Sequence, residues 1–499
     1  MNSRFWLSRW GAILFLVGLS SLTLLFGIGR MPLIGSDEPR YAEVAREMWV
    51  NSDYISPRLA GRLWMEKAPL LYWGQALCYS IFGVNEFAAR LPSALGALFI
   101  VLALYETARR VLEARTALYI GIVAASMAMI AVPAHGATTD MPLCTMFAGA
   151  FLSLFRSVVS KKHSFQWILL SAAFVGGAML AKGLIGPLLF VLIGGIWWFW
   201  ARPDLTRSGS EAPRSFSSRL RVFAAACAVF LAISAIWYLP VWLRHGAFFW
   251  EEFFVNHHFK RFTSDKYEHR QPFYFYIAIL PLCALPWTLW IWGAARDFRG
   301  LRPRLSERDA FLSFAWVWFL VPIVFFSASG AKLPFYILPS FPALAILLGD
   351  QISRGALMPR GFQPKWAALG GATIMVGVVL CAFLFYGPAK EEKLSIRRMC
   401  LEVKAQMQPG ERATFLNLEK DYAPAFYLEG RVIPNDKPGR RDTFVAWKPD
   451  ELLPFFEKEK TLIVFARTNE LPLLERHPAW TTQFLSKNYR LSVVRLTRR

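Results

Sequence analysis

The 499-residue chain is 55% hydrophobic and only 18% charged, with a mean hydropathy of +0.34, which excludes an ordinary soluble domain. Its net charge of +21 would point to nucleic acid in a soluble protein, so the position of that charge has to decide. The six cysteines, Cys78, Cys144, Cys227, Cys283, Cys381 and Cys400, are scattered without a C-x-x-C pair, which excludes a zinc motif and a disulfide framework.

In chain order, the basic N-terminus MNSRFWLSRW runs into GAILFLVGLSSLTLLFGIG. This run is long enough for the ~30 Å hydrocarbon layer and no A-x-A cleavage pattern follows, so it predicts a first transmembrane helix with a cytoplasmic N-terminus. Next comes GSDEPRYAEVAREMW, residues 35–49, dense in charge. Tyr41, Val44, Ala45, Met48 and Trp49 fall on one helical face, with Arg40, Glu43 and Glu47 on the other. The pattern predicts an amphipathic helix lying on the membrane, with Asp37 at the N-cap and Pro39 in the first turn. Asp37 then has two readings, a plain cap or half of an active site.

Further apolar runs predict spans at 92–108, 116–134, 141–155, 166–181, 184–200, 222–240, 273–294, 310–327, 334–349 and 366–386. With the first that makes eleven, or up to thirteen if short or re-entrant helices are counted, and an odd number puts the two termini on opposite sides. The loops this assigns to the cytoplasm, 109–115, 156–163, 202–221, 296–309 and 350–365, hold 19 Lys and Arg against 7 Asp and Glu. Positive residues collect inside, which supports the orientation and removes the case for nucleic acid.

Residues 1–386 therefore read as a membrane domain with outer loops at 30–90 and 241–272. Residues 387–499 read as a small outer α/β domain. There RATFLNL and KTLIVFART have strand character, and SIRRMCLEVKAQM and ELPLLERH have helix character.

Five further polar clusters map to the same side as Asp37. They are Glu66 and Lys67 in GRLWMEKAPLLYW, Asp140 in HGATTDMPL, Lys182 in LAKGLIGPL, WEEFFVNHHFKRF at 250–262, and Lys332 in SGAKLPFYILP. Each has a bland alternative: Asp140 as an N-cap, Lys182 and Lys332 snorkelling, the histidines in an interfacial helix. Their common side favours one shared cavity. Its cations suit a phosphate, and its carboxylates suit a sugar hydroxyl, a sugar amine or a metal.

The run D-E-x-R-Y-A-E-x-x-R-E-M, E-K-x-P-L-x-Y-W, T-D-x-P-L, K-G, N-H-x-x-x-R-F and K-L-P-x-Y-I-L-P resembles the lipid A aminoarabinose transferases, relatives of the protein O-mannosyltransferases. The resemblance covers roughly residues 10–350. It implies a mainly α, polytopic GT-C-type glycosyltransferase of the bacterial inner membrane, with its active site and C-terminus on the periplasmic side. It further implies transfer of 4-amino-4-deoxy-L-arabinose from a polyprenyl-phosphate donor to lipid A.

Carried over by motif, Asp37, Lys67 and Asp140 are the implied catalytic residues. Arg40, Tyr41, Arg261, Lys332 and Tyr336 are implied donor-phosphate or substrate contacts. Glu66 and His258, with His257 as the other candidate, could hold a divalent metal.

A polyprenyl phosphate leaves as a stable anion and asks for cations more than for a strong acid. A hydroxyl acceptor asks for a carboxylate base, whereas a lipid A phosphate does not. In the latter case Asp37 positions Lys67 or binds the sugar. The alternatives are a hexose or mannose moved to a protein or glycan, and a transporter of a lipid-linked sugar. The one-sided polar clusters and the lack of an inverted repeat count against the transporter.

Overall fold

A computed structural model of the protein describes residues 8–160, 162–201, 216–259, 271–298, 306–418, 422–435 and 443–499. Among these, seven helices are long and apolar enough to cross a bilayer: Glu86–Val111, Asp140–Val159, Ser164–Lys182, Ser217–Asn256, Glu307–Ser327, Pro334–Ser353 and Pro364–Glu391. The pair Ala114–Ala125 and Ala128–Ala134, bent by 52°, makes an eighth if it counts as one span. Two shorter apolar helices are Arg9–Leu25 and Ile185–Trp200.

Several of the expected spans are interrupted for reasons visible in the sequence. The run 116–134 breaks at Ser126, whose hydroxyl bonds back to the Ile122 carbonyl at 2.5 Å and competes with the helix ladder. The run 273–294 becomes two helices, Phe275–Cys283 and Leu289–Phe298, because Pro281 and Pro286 withdraw backbone donors. The segment after Lys332 starts as the 3₁₀ turn Pro334–Ser340 before continuing as Phe341–Ser353. Its prolines 334, 339 and 342 account for that start.

The contacts divide the chain into two compact units. The first comprises Met1–Gly27, Glu66–Leu70 and Leu91–Ala382, and holds most of the apolar helices. Large side chains such as Trp197, Trp237, Trp287, Trp318 and Phe151 are fully buried in it. Trp318 donates through its indole N–H to the Pro339 carbonyl at 2.8 Å. Tyr276 donates through its hydroxyl to the Leu333 carbonyl at 3.1 Å. Both bonds fix the 3₁₀ segment that carries Tyr336.

The second unit comprises Ile28–Met65, Leu71–Arg90 and Phe383–Arg499. Residues 58–63 form a short antiparallel hairpin, β1 (Arg58–Leu59) and β2 (Arg62–Leu63). The tail forms a five-stranded sheet from β3 (Ala413–Leu416), β4 (Val445–Ala446), β5 (Thr461–Arg467), β6 (Trp480–Lys487) and β7 (Leu491–Arg498), in the order β4-β3-β5-β7-β6. Strand β3 pairs in parallel with β4 and β5, and β7 lies antiparallel between β5 and β6.

Strands β3 and β5 are the two the sequence indicates. They are near-continuous apolar runs because both of their faces are covered. Leu416, Leu462, Val464, Trp480 and Val494 share the buried core. The expected tail helices form at Arg397–Gln406 and, more briefly, at Leu471–Glu475.

Candidate active site

In the second unit the apolar spacing of residues 37–49 does make a helix, Asp37–Asn51. Ser36 stands at the N-cap, Pro39 falls in the first turn, and Ser52 in the left-handed region (φ 51°) closes the C-terminus. Asp37 is thus the first helical residue, not the cap expected from sequence. Its carboxylate pairs one turn on with Arg40. Asp37 keeps 53% of its side chain exposed, while Arg40 keeps 14%.

The Arg40 guanidinium lies over three rings, at 5.0 Å from Tyr41, 5.2 Å from Trp64 and 5.5 Å from Tyr422. One of its nitrogens is also 3.3 Å from the Tyr41 hydroxyl. The rings replace part of the water around the cation and restrict where it can point. An accessible carboxylate held by a caged cation is the result. Tyr41 and Tyr72 continue the aromatic wall, with ring centroids 6.0 Å apart.

The opposite face of this helix corrects the expectation of a charged surface lying on the membrane. Glu38, Glu43, Arg46 and Glu47 are all buried. The reason is coverage by two elements of the same unit, the hairpin and the tail helix Ala423–Tyr427.

Each buried charge has partners there. Arg46 forks onto Glu43 at 2.7 and 2.8 Å, and Glu47 accepts the Gly61 N–H at 3.0 Å. Glu38 accepts the Ile34 N–H at 2.8 Å and a fork from Arg90 at 2.9 and 2.8 Å. Arg90 also donates to the carbonyls of Ile28, Met31 and Pro32 at 2.6–2.8 Å. It thereby ties the chain leading into Asp37. Burial pushes the Glu43 carboxyl up to about 8 while Arg46 pulls the other way.

In the first unit, Asp140 again begins a helix without capping it, since Thr139 takes the cap position. Its carboxylate accepts from the Lys182 ammonium at 2.5 Å, and that ammonium lies 5.0 Å from the Tyr336 ring. Three motifs far apart in sequence are joined here. Asp140 is not the cap, and Lys182 does not simply snorkel, since its ammonium is directed at the Asp140 carboxylate and the Tyr336 ring with only 21% of its side chain exposed.

Lys332 is 5% exposed and donates to the carbonyls of Gln271 at 3.0 Å and Ser329 at 2.5 Å, so it does not snorkel either. Lys67 and Glu66 face each other at 3.3 Å, each 13% exposed. Arg261 and the side chains of His257 and His258 lie outside the described residues.

Glu66 pairs with the Lys67 ammonium here, and His258, the residue expected to share a metal with it, lies outside the described residues. Among the described residues no group of three or more His, Cys, Asp or Glu could hold a metal ion. A cleft of about 690 Å³ in the second unit is lined by Glu86, Glu391, Arg397, Lys404, Tyr427 and Glu429 among others. Arg397 is paired with Glu86 at 3.0 Å and Glu391 at 2.6 Å, and Lys404 with Glu429 at 2.7 Å.

Lys182 as the partner of Asp140, Arg90 behind Glu38, and Trp64 and Tyr422 around Arg40 were not assigned such roles from the sequence. A lone Arg in EFAARLP or a Tyr in the tail carries no periodic or motif signal.

Comparison with known proteins agrees with this architecture. Residues 66–237 match the family described as dolichyl-phosphate-mannose-protein mannosyltransferase. The undecaprenyl phosphate-alpha-4-amino-4-deoxy-L-arabinose arabinosyl transferase of Pseudomonas paraeruginosa (strain DSM 24068 / PA7) is 31% identical over 387 residues, which are 77% of this chain and 65% of that one. The corresponding transferase 2 of Pseudomonas fluorescens (strain Pf0-1) is 29% identical over 385 residues, 76% of this chain and 66% of that one. The chain thus spans just under two thirds of the length of these relatives. Among solved structures, ArnT from Cupriavidus metallidurans bound to undecaprenyl phosphate superimposes with a TM-score of 0.76, at 21% identity over 98% of both chains.

The fold is that of a GT-C-type multi-pass membrane protein with a small C-terminal sheet domain. Within that class the chain is similar in sequence to the aminoarabinose transferases and, over residues 66–237, to the protein mannosyltransferases.

Proposed function

We propose that this protein is a glycosyltransferase of the bacterial inner membrane that moves 4-amino-4-deoxy-L-arabinose from undecaprenyl phosphate to a phosphate of lipid A on the periplasmic face. The observation that carries the reading is the accessible Asp37 carboxylate held by a caged Arg40 within the D-E-x-R-Y motif. The names of the relatives support the donor, and the motif run supports the acceptor. The excess of Lys and Arg in the loops assigned to the cytoplasm supports the orientation.

In this reaction the bond between the sugar C1 and the donor phosphate oxygen breaks, and its electron pair stays on the departing undecaprenyl phosphate. An oxygen of the acceptor phosphate forms the new bond from the opposite face, so the anomeric centre inverts. No proton has to be removed from an acceptor that is already an anion. Cations then supply most of the catalysis by stabilising the leaving phosphate.

Lys67, Lys182, Lys332 and Arg261 are the proposed sources of that charge. Asp140 orients Lys182 through their bond of 2.5 Å, and the Tyr336 ring flanks the same ammonium. Asp37, steadied by Arg40 and Tyr41, binds the sugar's amine or hydroxyls.

The mannosyltransferase match over 66–237 favours a second reading, with a hexose as the sugar and a hydroxyl as the acceptor. Asp37 would then act as the general base. The two readings separate when the purified chain is given each acceptor together with the undecaprenyl-phosphate aminopentose. Under the first reading lipid A gains a pentosamine on a phosphate and hydroxyl acceptors gain nothing. A sugar appearing on a serine or glycan hydroxyl reverses that choice.

A further inference from the structure

We infer that Tyr422, in the C-terminal domain, is a positioning residue for the proposed transfer, its ring fixing the Arg40 guanidinium that steers Asp37. The inference rests on the role proposed for Asp37 and extends it to a part of the chain in which no catalytic signal is legible.

Three observations carry it. First, Tyr422 lies 382 positions after Arg40 yet presents its ring 5.5 Å from that guanidinium, completing the cage begun by Tyr41 and Trp64. Second, the ring is itself held in place. Tyr422 is 6% exposed and stands at the cap position of the helix Ala423–Tyr427. That helix packs on the Asp37–Asn51 helix. Tyr427, at its far end, accepts the Leu33 N–H at 2.9 Å and donates to Glu86 at 3.1 Å. Third, the guanidinium is mostly withdrawn from solvent, whereas the carboxylate it holds is half open.

A cation in that position has lost much of its hydration, and the negative faces of the rings compensate. Remove one ring and the guanidinium gains freedom to turn toward water, and Asp37 loses its fixed orientation. Plain packing would need only apolar bulk at position 422. Steering needs the π face, and the difference between the two can be measured.

The decisive test is a series at position 422 in the full-length chain, assayed with the undecaprenyl-phosphate aminopentose and lipid A. Tyr422→Phe keeps the ring, and turnover should stay within about twofold of the parent. Tyr422→Leu keeps bulk without a π face, and kcat should fall about tenfold with the donor KM unchanged. Replacing that Phe site-specifically by mono-, di- and trifluorinated phenylalanine drains charge from the ring face at nearly constant shape. The expected result is a stepwise fall in kcat toward the Leu value.

A flat fluorine series, or a Phe variant as impaired as Leu, overturns the inference. Asp37→Asn, assayed alongside, separates the two possible failures. If it stays active, the reading of Asp37 falls and takes the positioning role with it. If it is inactive and the fluorine series is flat, only the role of Tyr422 falls. The same series read as the thermal unfolding midpoint decides the contact independently of substrate. A stepwise decline supports the stacked guanidinium, and an unchanged midpoint overturns it.

Discussion

Replacing Lys182 by Met tests whether the Asp140–Lys182 pair is structural or catalytic. The two groups are 2.5 Å apart, with 21% of the Lys182 side chain and 17% of Asp140 exposed. In a fully buried pair, removing one partner costs about 3–5 kcal/mol because the other charge is left unpaired. About a fifth of each side chain still reaches solvent, so roughly 2–3 kcal/mol is the expected loss of stability.

Asp140→Asn combined with Lys182→Met removes both charges and should recover most of that loss, since a missing pair costs far less than an orphaned ion. Turnover should behave differently. The single Lys182 variant should lose about a hundredfold, the size expected for one lost electrostatic contact to the transition state, and the double variant should stay equally low. The assay is thermal unfolding in detergent alongside initial rates with saturating donor. A double variant that regains activity along with stability, or a Lys182→Met enzyme within about threefold of the parent, would refute the catalytic role and leave the pair as a helix clasp.

Other outcomes follow from the same geometry. Asp37→Asn should abolish most transfer while the unfolding midpoint changes little, because the side chain is 53% exposed and the amide keeps an oxygen that can accept from Arg40; retained activity would remove Asp37 from the mechanism. Gly430→Ala should destabilise strongly, since Gly430 has φ +77° and a Cβ there would sit 2.3 Å from the Arg46 guanidinium; a chain as heat-stable as the parent in a melting assay would contradict the packing of the tail on the Asp37–Asn51 helix. Burial raises the folded-state Glu43 carboxyl to about 8, above its free value, so its contribution is fully present below about pH 4.5 and is lost as pH rises through 8. Melting points taken from pH 5 to 9 should therefore decline, and more steeply than those of Glu43→Gln; parallel curves would contradict the raised value. A reporter that works only in the cytoplasm, fused after Arg499, should stay silent, and a bright fusion would reverse the topology.

The long apolar helices were legible because runs of that length follow directly from the thickness of the bilayer. The 37–51 helix was legible from its 3.6-residue period. What periodicity could not supply was its environment. Glu43 and Glu47 read as part of a polar face because charge usually means solvent, yet the tail helix and the hairpin cover them. Coverage by a segment almost 400 residues later leaves no local trace.

Asp37 and Asp140 were identified as candidates, but which cation each one holds depends on helix-to-helix geometry. For Asp37 the partner is three residues on and visible in the motif. For Asp140 it is 42 residues on, across a helix pair. The breaks at Ser126 and between Cys283 and Leu289 were also beyond a hydropathy reading, which averages over the very residues that bend the chain.

The most direct test of the central claim is transfer by the purified full-length chain in lipid nanodiscs, supplied with undecaprenyl-phosphate 4-amino-4-deoxy-L-arabinose and lipid A and followed by mass spectrometry. The account predicts a pentosamine on a lipid A phosphate, one free undecaprenyl phosphate for each sugar moved, and loss of both signals with Asp37→Asn. Lipid A that remains unmodified while the donor is intact, or transfer that Asp37→Asn leaves undiminished, would contradict it.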